Sequence, residues 1–148
     1  MEIERFQTIE GIIETKINIE RSIFITTLKG VQTEEEAKAF ISEINKKYQD
    51  ATHNCPAYRV IHNGSILEFS SDAGEPSGTA GLPMLNTLRK HQLLNVAVVV
   101  TRYFGGVKLG VRGLIDAYSQ AVEIAVEKAQ SERRIIEKKK SIQAKIKD

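Results

Sequence analysis

Apolar residues in this chain alternate with polar ones in some stretches and recur every three or four positions in others. These two periods separate strands from helices. Ile13, Thr15, Ile17 and Ile19 share one face of an alternating run, and Ile23 and Ile25 resume it after Arg21. That pattern predicts two strands joined by a turn. Thr33, followed three residues later by Glu36, forms a capping box with Thr33 as the N-cap. Ala37, Phe40, Ile41, Ile44 and Tyr48 then repeat at helical spacing, so the first helix ends near Tyr48 and has one apolar face. Asn63-Gly64 is the preferred pair for a two-residue hairpin turn. The turn pairs His62 with Ser65, Val60 with Leu67 and Tyr58 with Phe69; the other face pairs Ile61 with Ile66 and Arg59 with Glu68. The same register sets Cys55 opposite Asp72 and His53 opposite Gly74, loosened by Pro56. Leu82, Leu85 and Leu88 mark a short helix with Pro83 in its first turn.

The apolar run Val96–Val100 reads as a strand buried on both faces. Leu114, Ile115, Tyr118, Ala121, Val122, Ala125 and Ala129 return to helical spacing. Near the end, Ile142, Ala144 and Ile146 alternate like a strand, although the lysine-rich composition also fits a continued helix. The expected order is β-β-α-β-β-α-β-α, an α+β sandwich with helices packed on one face of a sheet.

A length of 148 residues suits one domain with its own core, and 41% hydrophobic with 27% charged residues is ordinary for a globular protein. The longest apolar stretch, Leu93–Val100, is interrupted by Asn95 and is too short to cross a bilayer, so no membrane partner is expected. A single cysteine, Cys55, excludes an internal disulfide and suits a reducing compartment; the expectation is a cytoplasmic protein. The segment 131–148 carries seven basic side chains against three acidic ones, so the rest of the chain is slightly acidic. A basic tail can touch nucleic acid or simply solubilise the protein.

Seven of the ten glycines fall between Ser70 and Gly113, in the clusters SSDAGEPSGTAGLP and TRYFGGVKLGVRG, each leading into a helix. Neither satisfies the P-loop pattern or a dinucleotide fingerprint. Two readings remain: tight turns, or a looser anion site at helix N-termini. In the second reading Arg102, Lys108 and Arg112, with the backbone N–H groups of Gly105, Gly106, Gly78 and Gly81, contact phosphate. Asp72 and Glu75 are unsuited to phosphate and instead cap loop N–H groups or bind base amino groups. Tyr103-Phe104 beside Arg102 resembles a stacking platform, although core placement of at least one ring competes with that role.

The His-x-Cys spacing puts His53 and Cys55 on one side of a strand, so a thiol nucleophile with a nearby base is an alternative, assisted by Asp72 or Glu75. A lone cysteine is also an ordinary small core residue. His53, Asp72 and Glu75 make a mixed set for a metal, and no metal or other cofactor is expected. The sequence carries no signal of oligomeric state.

HNCPAY (53–58), SDAGEPSGTAGLPML (71–85) and VVVTRYFGGVKLG (98–110) resemble the IMPACT/YigZ family, and the resemblance extends over nearly all of 12–126. It implies a fold like domain 2 of ribosomal protein S5, a sheet with helices on one face. It also implies a translation-related regulator with RNA, the ribosome or translation factors as partners. Eukaryotic members oppose activation of a kinase that phosphorylates an initiation factor. Two departures stand out. Val111-Arg112 replaces the family's small residue and glycine, and Asp116 replaces its usual arginine. Many bacterial relatives continue into a ferredoxin-like domain, so the expected organisation is a family N-terminal domain at 1–130 and a basic tail at 131–148, with that second domain absent. No catalytic set is assigned. The alternative is an enzyme acting on a small phosphorylated or peptide-like substrate through His53, Cys55, Asp72 and Glu75.

Overall fold

Asn63 and Gly64 both adopt positive φ, as a two-residue turn requires, and the strands on either side pair in the expected register: His62 with Ser65, Val60 with Leu67, Tyr58 with Phe69. This computed structural model describes residues 5–139. Its elements are β1 (Arg5–Ile9), β2 (Ile12–Ile19), β3 (Ser22–Gly30), α1 (Glu34–Lys47), β4 (His53–His62), β5 (Ser65–Ser70), α2 (Gly81–Lys90), β6 (Val96–Tyr103), α3 (Gly110–Ser131) and β7 (Ile135–Lys139). Five strands form one antiparallel sheet in the order β2-β3-β6-β4-β5. Thr33 caps α1 as expected, its Oγ1 accepting from the Glu36 N–H at 3.1 Å, while the Glu36 carboxylate reaches one residue further back and accepts from the Gln32 N–H rather than that of Thr33.

The α+β class and the antiparallel sheet with helices packed on it match the sequence. The layering differs in one respect. Val96, Val98 and Val100 face α2 and α3 together with Phe24, Leu28, Cys55 and Ala57. Ala97 and Val99 point the other way, against Ala37, Phe40 and Ile44 of α1. Helices therefore cover both faces, because a central strand apolar on both sides must be covered on both. A further correction concerns Leu82, which is exposed, while Met84, Leu85 and Leu88 carry the buried face of α2.

The strands β1 and β7 were not expected. They form an antiparallel two-stranded ribbon, and Ile9 reaches the main core from it. Residues 135–139 thus lie in a strand rather than a plain tail. The alternating Ile142, Ala144 and Ile146 lie outside the described residues.

Candidate functional site

The first glycine cluster closes on itself. Asp72 Oδ1 accepts from the N–H groups of Ala80 at 3.1 Å and Gly81 at 2.9 Å, and Oδ2 accepts from Gly78 at 2.9 Å. Its carboxylate occupies the N-terminus of α2, where a phosphate would sit. This corrects the expected phosphate contacts of Gly78 and Gly81: both N–H groups are already taken. Burial alone would raise the Asp72 pKa, but the three N–H bonds outweigh it and hold the carboxyl below its ordinary range. Asp72→Ala is expected to lower stability by about 1 kcal/mol at neutral pH. Because the folded pKa is depressed, that contribution is complete above the unfolded value and vanishes as pH falls through the folded one. Urea unfolding of both proteins from pH 6 down to pH 3 should show the curves converging; parallel curves would rule the cap out.

Glu75 lies deeper, 8% exposed. Arg102 Nη1 donates to its two oxygens at 3.1 and 2.8 Å, and the Tyr118 hydroxyl donates to Oε2 at 2.5 Å. His53 Nε2 stands 3.4 Å from Oε1. The other ring nitrogen, Nδ1, is 2.9 Å from the Ala73 carbonyl, which can only accept, so Nδ1 carries the proton. With Nδ1 committed to that carbonyl, Nε2 is the ring nitrogen turned toward Glu75.

Arg102 is 5% exposed, with Nε 3.3 Å from Ser22 Oγ. Its place as a surface phosphate contact is corrected accordingly: a buried guanidinium committed to Glu75 does not reach a ligand outside. The sequence could not show this, because the partner lies 27 residues away on another loop.

Cys55 is fully buried. Its S–H donates to the Asp72 carbonyl at 3.3 Å, and the Tyr118 hydroxyl is 3.5 Å from Sγ. Burial pushes the thiol up to about 12, offset in part by Tyr118 and reinforced by the nearby Glu75 and Asp72. Full burial with the S–H donated to a carbonyl leaves no accessible thiolate to serve the enzyme alternative in this arrangement. Among the described residues, no group of three or more His, Cys, Asp or Glu is placed to hold a metal ion.

The second glycine cluster is open. Lys108, Arg112 and Gly106 are exposed, and the Phe104 ring is 46% exposed. Gly105 is half-buried, its N–H 3.4 Å from Ser22 Oγ. The Arg102 guanidinium lies 5.4 Å from the Phe104 ring and 5.6 Å from the Phe24 ring, within cation–π range of both. Tyr103 turns aside and donates to Asp50. At the N-terminus of α3 no side chain caps the backbone and the first turn holds no acidic residue. Asp116, further along α3, lines an open groove of about 660 Å³ between α2 and α3.

The structure thus gathers His53, Cys55, Asp72, Glu75 and Arg102 into one cluster, with Cys55, Glu75 and Arg102 buried and His53 and Asp72 half-buried, and leaves Lys108, Arg112 and Gly106 exposed. Sequence reasoning missed Tyr118 and Ser22. Tyr118 sits at core spacing on α3, and only its hydroxyl separates it from a plain aromatic core residue.

The profile of the Impact N-terminal domain family matches residues 20–126. The IMPACT family member YvyE of Bacillus subtilis (strain 168) is 49% identical over 120 residues, covering 81% of this chain and 55% of that protein. This chain therefore spans about half the length of that curated relative. A crystal structure of a hypothetical protein superposes with a TM-score of 0.81 at 34% identity, covering 94% of this chain and 65% of that one. The structure of the two-domain translational regulator Yih1 superposes with a TM-score of 0.50 at 28% identity, covering 83% and 46%. Among the described residues, no helix is long and apolar enough to cross a membrane.

Proposed function

The chain belongs to the Impact N-terminal domain family, and from that premise we propose that it is a cytoplasmic translation-related regulator that binds RNA or a ribosome-associated target through its second glycine cluster. The likeness to the translational regulator Yih1 supports the role. The observation that carries the binding face is the contrast between the two clusters. Asp72 neutralises the first from within, whereas the second presents Lys108, Arg112, the Gly106 backbone and the Phe104 ring outward. Between Arg102 and Gly113 the sequence has no acidic residue to compete with phosphate. An exposed ring flanked by cations suits an unpaired base with its backbone.

Fluorescence anisotropy with a labelled single-stranded RNA tests this. Two lost phosphate contacts in Lys108→Ala/Arg112→Ala should reduce the slope of log affinity against log salt by about 1.4, at roughly 0.7 for each single-strand phosphate. Phe104→Ala should weaken binding by about 1–3 kcal/mol with the slope unchanged. Binding that ignores salt, or a double variant with the parent slope, would overturn the RNA reading.

A further inference from the structure

The two outer strands of the five-stranded sheet differ in how they treat their free backbone. In β2 the tight turn at Glu20-Arg21 makes Ile19–Ser22 a hydrogen-bonded pair, so Ile12, Glu14, Lys16 and Asn18 turn their backbone outward. Two of those carbonyls are covered: Lys128 Nζ donates to Glu14 O at 3.1 Å and Arg134 Nη2 to Ile12 O at 3.0 Å. Basic side chains blunt that edge in the way natural sheets resist further pairing.

Among the described residues, the β5 edge has no such cover. The Ser71 N–H donates to Pro56 O, and with the His62–Ser65 pair this sets the alternation: residues 65, 67, 69 and 71 bond β4, while Ile66, Glu68 and Ser70 point their N–H and C=O groups away from the sheet. Among the described residues nothing hydrogen-bonds these outward groups. The strand also exposes large apolar side chains, Ile66 at 40% and Phe69 at 42%, one on each face. A row of free donors and acceptors flanked by apolar side chains is a template for another strand.

We propose that β5 pairs antiparallel with β5 of a second copy of this chain, joining two five-stranded sheets into one across a two-fold axis. The strand is self-complementary about Glu68. Aligning Glu68 with its own copy sets Ile66 opposite Ser70 and brings Leu67 against Phe69 twice, on the face where Phe69 already stacks on Tyr58. That face also holds a slot of about 460 Å³ lined by Ile41, Tyr58 and Phe69, with room for the incoming side chain. Charge allows the alignment. Each Glu68 is held by two guanidiniums, Arg59 Nε at 2.8 Å and Arg89 Nη2 at 2.6 Å, so two facing carboxylates share four cations. A six-residue edge is small for an interface, so the dimer is weak and depends on concentration.

Sedimentation velocity of the 148-residue chain from about 10 μM to about 1 mM tests the proposal, since small interfaces associate in that range. The expected result is a shift from monomer to dimer. Ile66→Pro removes an outward N–H without touching the β4 ladder, and Phe69→Lys places a charge in the apolar pairing. Each should raise the dissociation constant at least tenfold while far-UV circular dichroism stays native. Phe69→Lys alone carries the test if the proline variant misfolds. A parent that stays monomeric throughout, or a dimer untouched by the variants, overturns the proposal. The RNA reading is unaffected either way, because Lys108, on the loop before α3, and Arg112, in its first turn, are not part of β5.

Discussion

Glu75→Ala is expected to destabilise the fold by about 3–5 kcal/mol, the cost of leaving a buried charge without its partner. The residue stranded is Arg102, 5% exposed, whose Nη1 makes both of its close contacts to the Glu75 carboxylate. Ser22 Oγ, at 3.3 Å from Nε, is a neutral acceptor and cannot balance the charge. Tyr118 loses its acceptor in the same step. Glu75→Gln keeps an oxygen for Arg102 and Tyr118 and should cost less. Urea unfolding at constant m measures both. Pairing Glu75→Ala with Arg102→Ala should cost clearly less than the sum of the single changes, because the stranded charge leaves with its partner. A local readout comes from the thiol. Cys55 is fully buried beneath the loop and its thiol is pushed up to about 12, so it should resist maleimide in the parent and react faster when the loop loses Glu75. A loss below about 1 kcal/mol, with Cys55 still inert, would mean that the ion pair does not hold the loop.

What the sequence made legible was mostly local. Asn63-Gly64 decides its own turn, and the turn decides the pairing of Tyr58 with Phe69, so a two-residue motif correctly placed the hairpin from Ala57 to Ser70. Thr33 and Glu36 likewise settle the start of α1 within one turn. The buried run at Val96–Val100 also held more than was drawn from it: a strand apolar on both sides already calls for α1 on the face opposite α2 and α3. Nothing local revealed β1 and β7. Each is five residues long, without clear alternation, and they pair across nearly the whole chain. The site was legible in membership rather than in roles. Hairpin register correctly brought His53 and Cys55 to the first glycine cluster, where Nδ1 and Sγ now meet the Ala73 and Asp72 carbonyls. Arg102 was misread because the other cations of its glycine cluster, Lys108 and Arg112, are exposed, whereas its own partner in space is an acid on the loop after β5. Charge runs describe surfaces only when no compensating group arrives from elsewhere.

Gly105→Ala is expected to do comparable damage by a different route. A Cβ on Gly105 would fall 1.9 Å from the Arg21 carbonyl oxygen and 2.2 Å from its carbon, far inside contact distance. Neither side can yield easily. Arg21 and Glu20 form the two-residue turn between β2 and β3, both already at positive φ, and the Ile19–Ser22 pair closes the turn behind them. On the other side the Phe104 N–H is held by Thr52 Oγ1 at 3.0 Å. Relief requires the second loop to lift off the hairpin, at a cost of about 3 kcal/mol or more. Gly106 supplies the control: its φ is +91° and nothing lies within 4 Å of a Cβ there, so Gly106→Ala should cost only about 1–2 kcal/mol of backbone strain. Adjacent glycines thus separate close approach from conformational freedom. If the loop carries the RNA face, Gly105→Ala should also lose RNA affinity at temperatures where it remains folded, because Phe104 and Lys108 move with the displaced backbone. A Gly105→Ala protein that melts with the parent would show that the hairpin does not seat the loop; one that melts early yet binds RNA normally would place the binding face elsewhere.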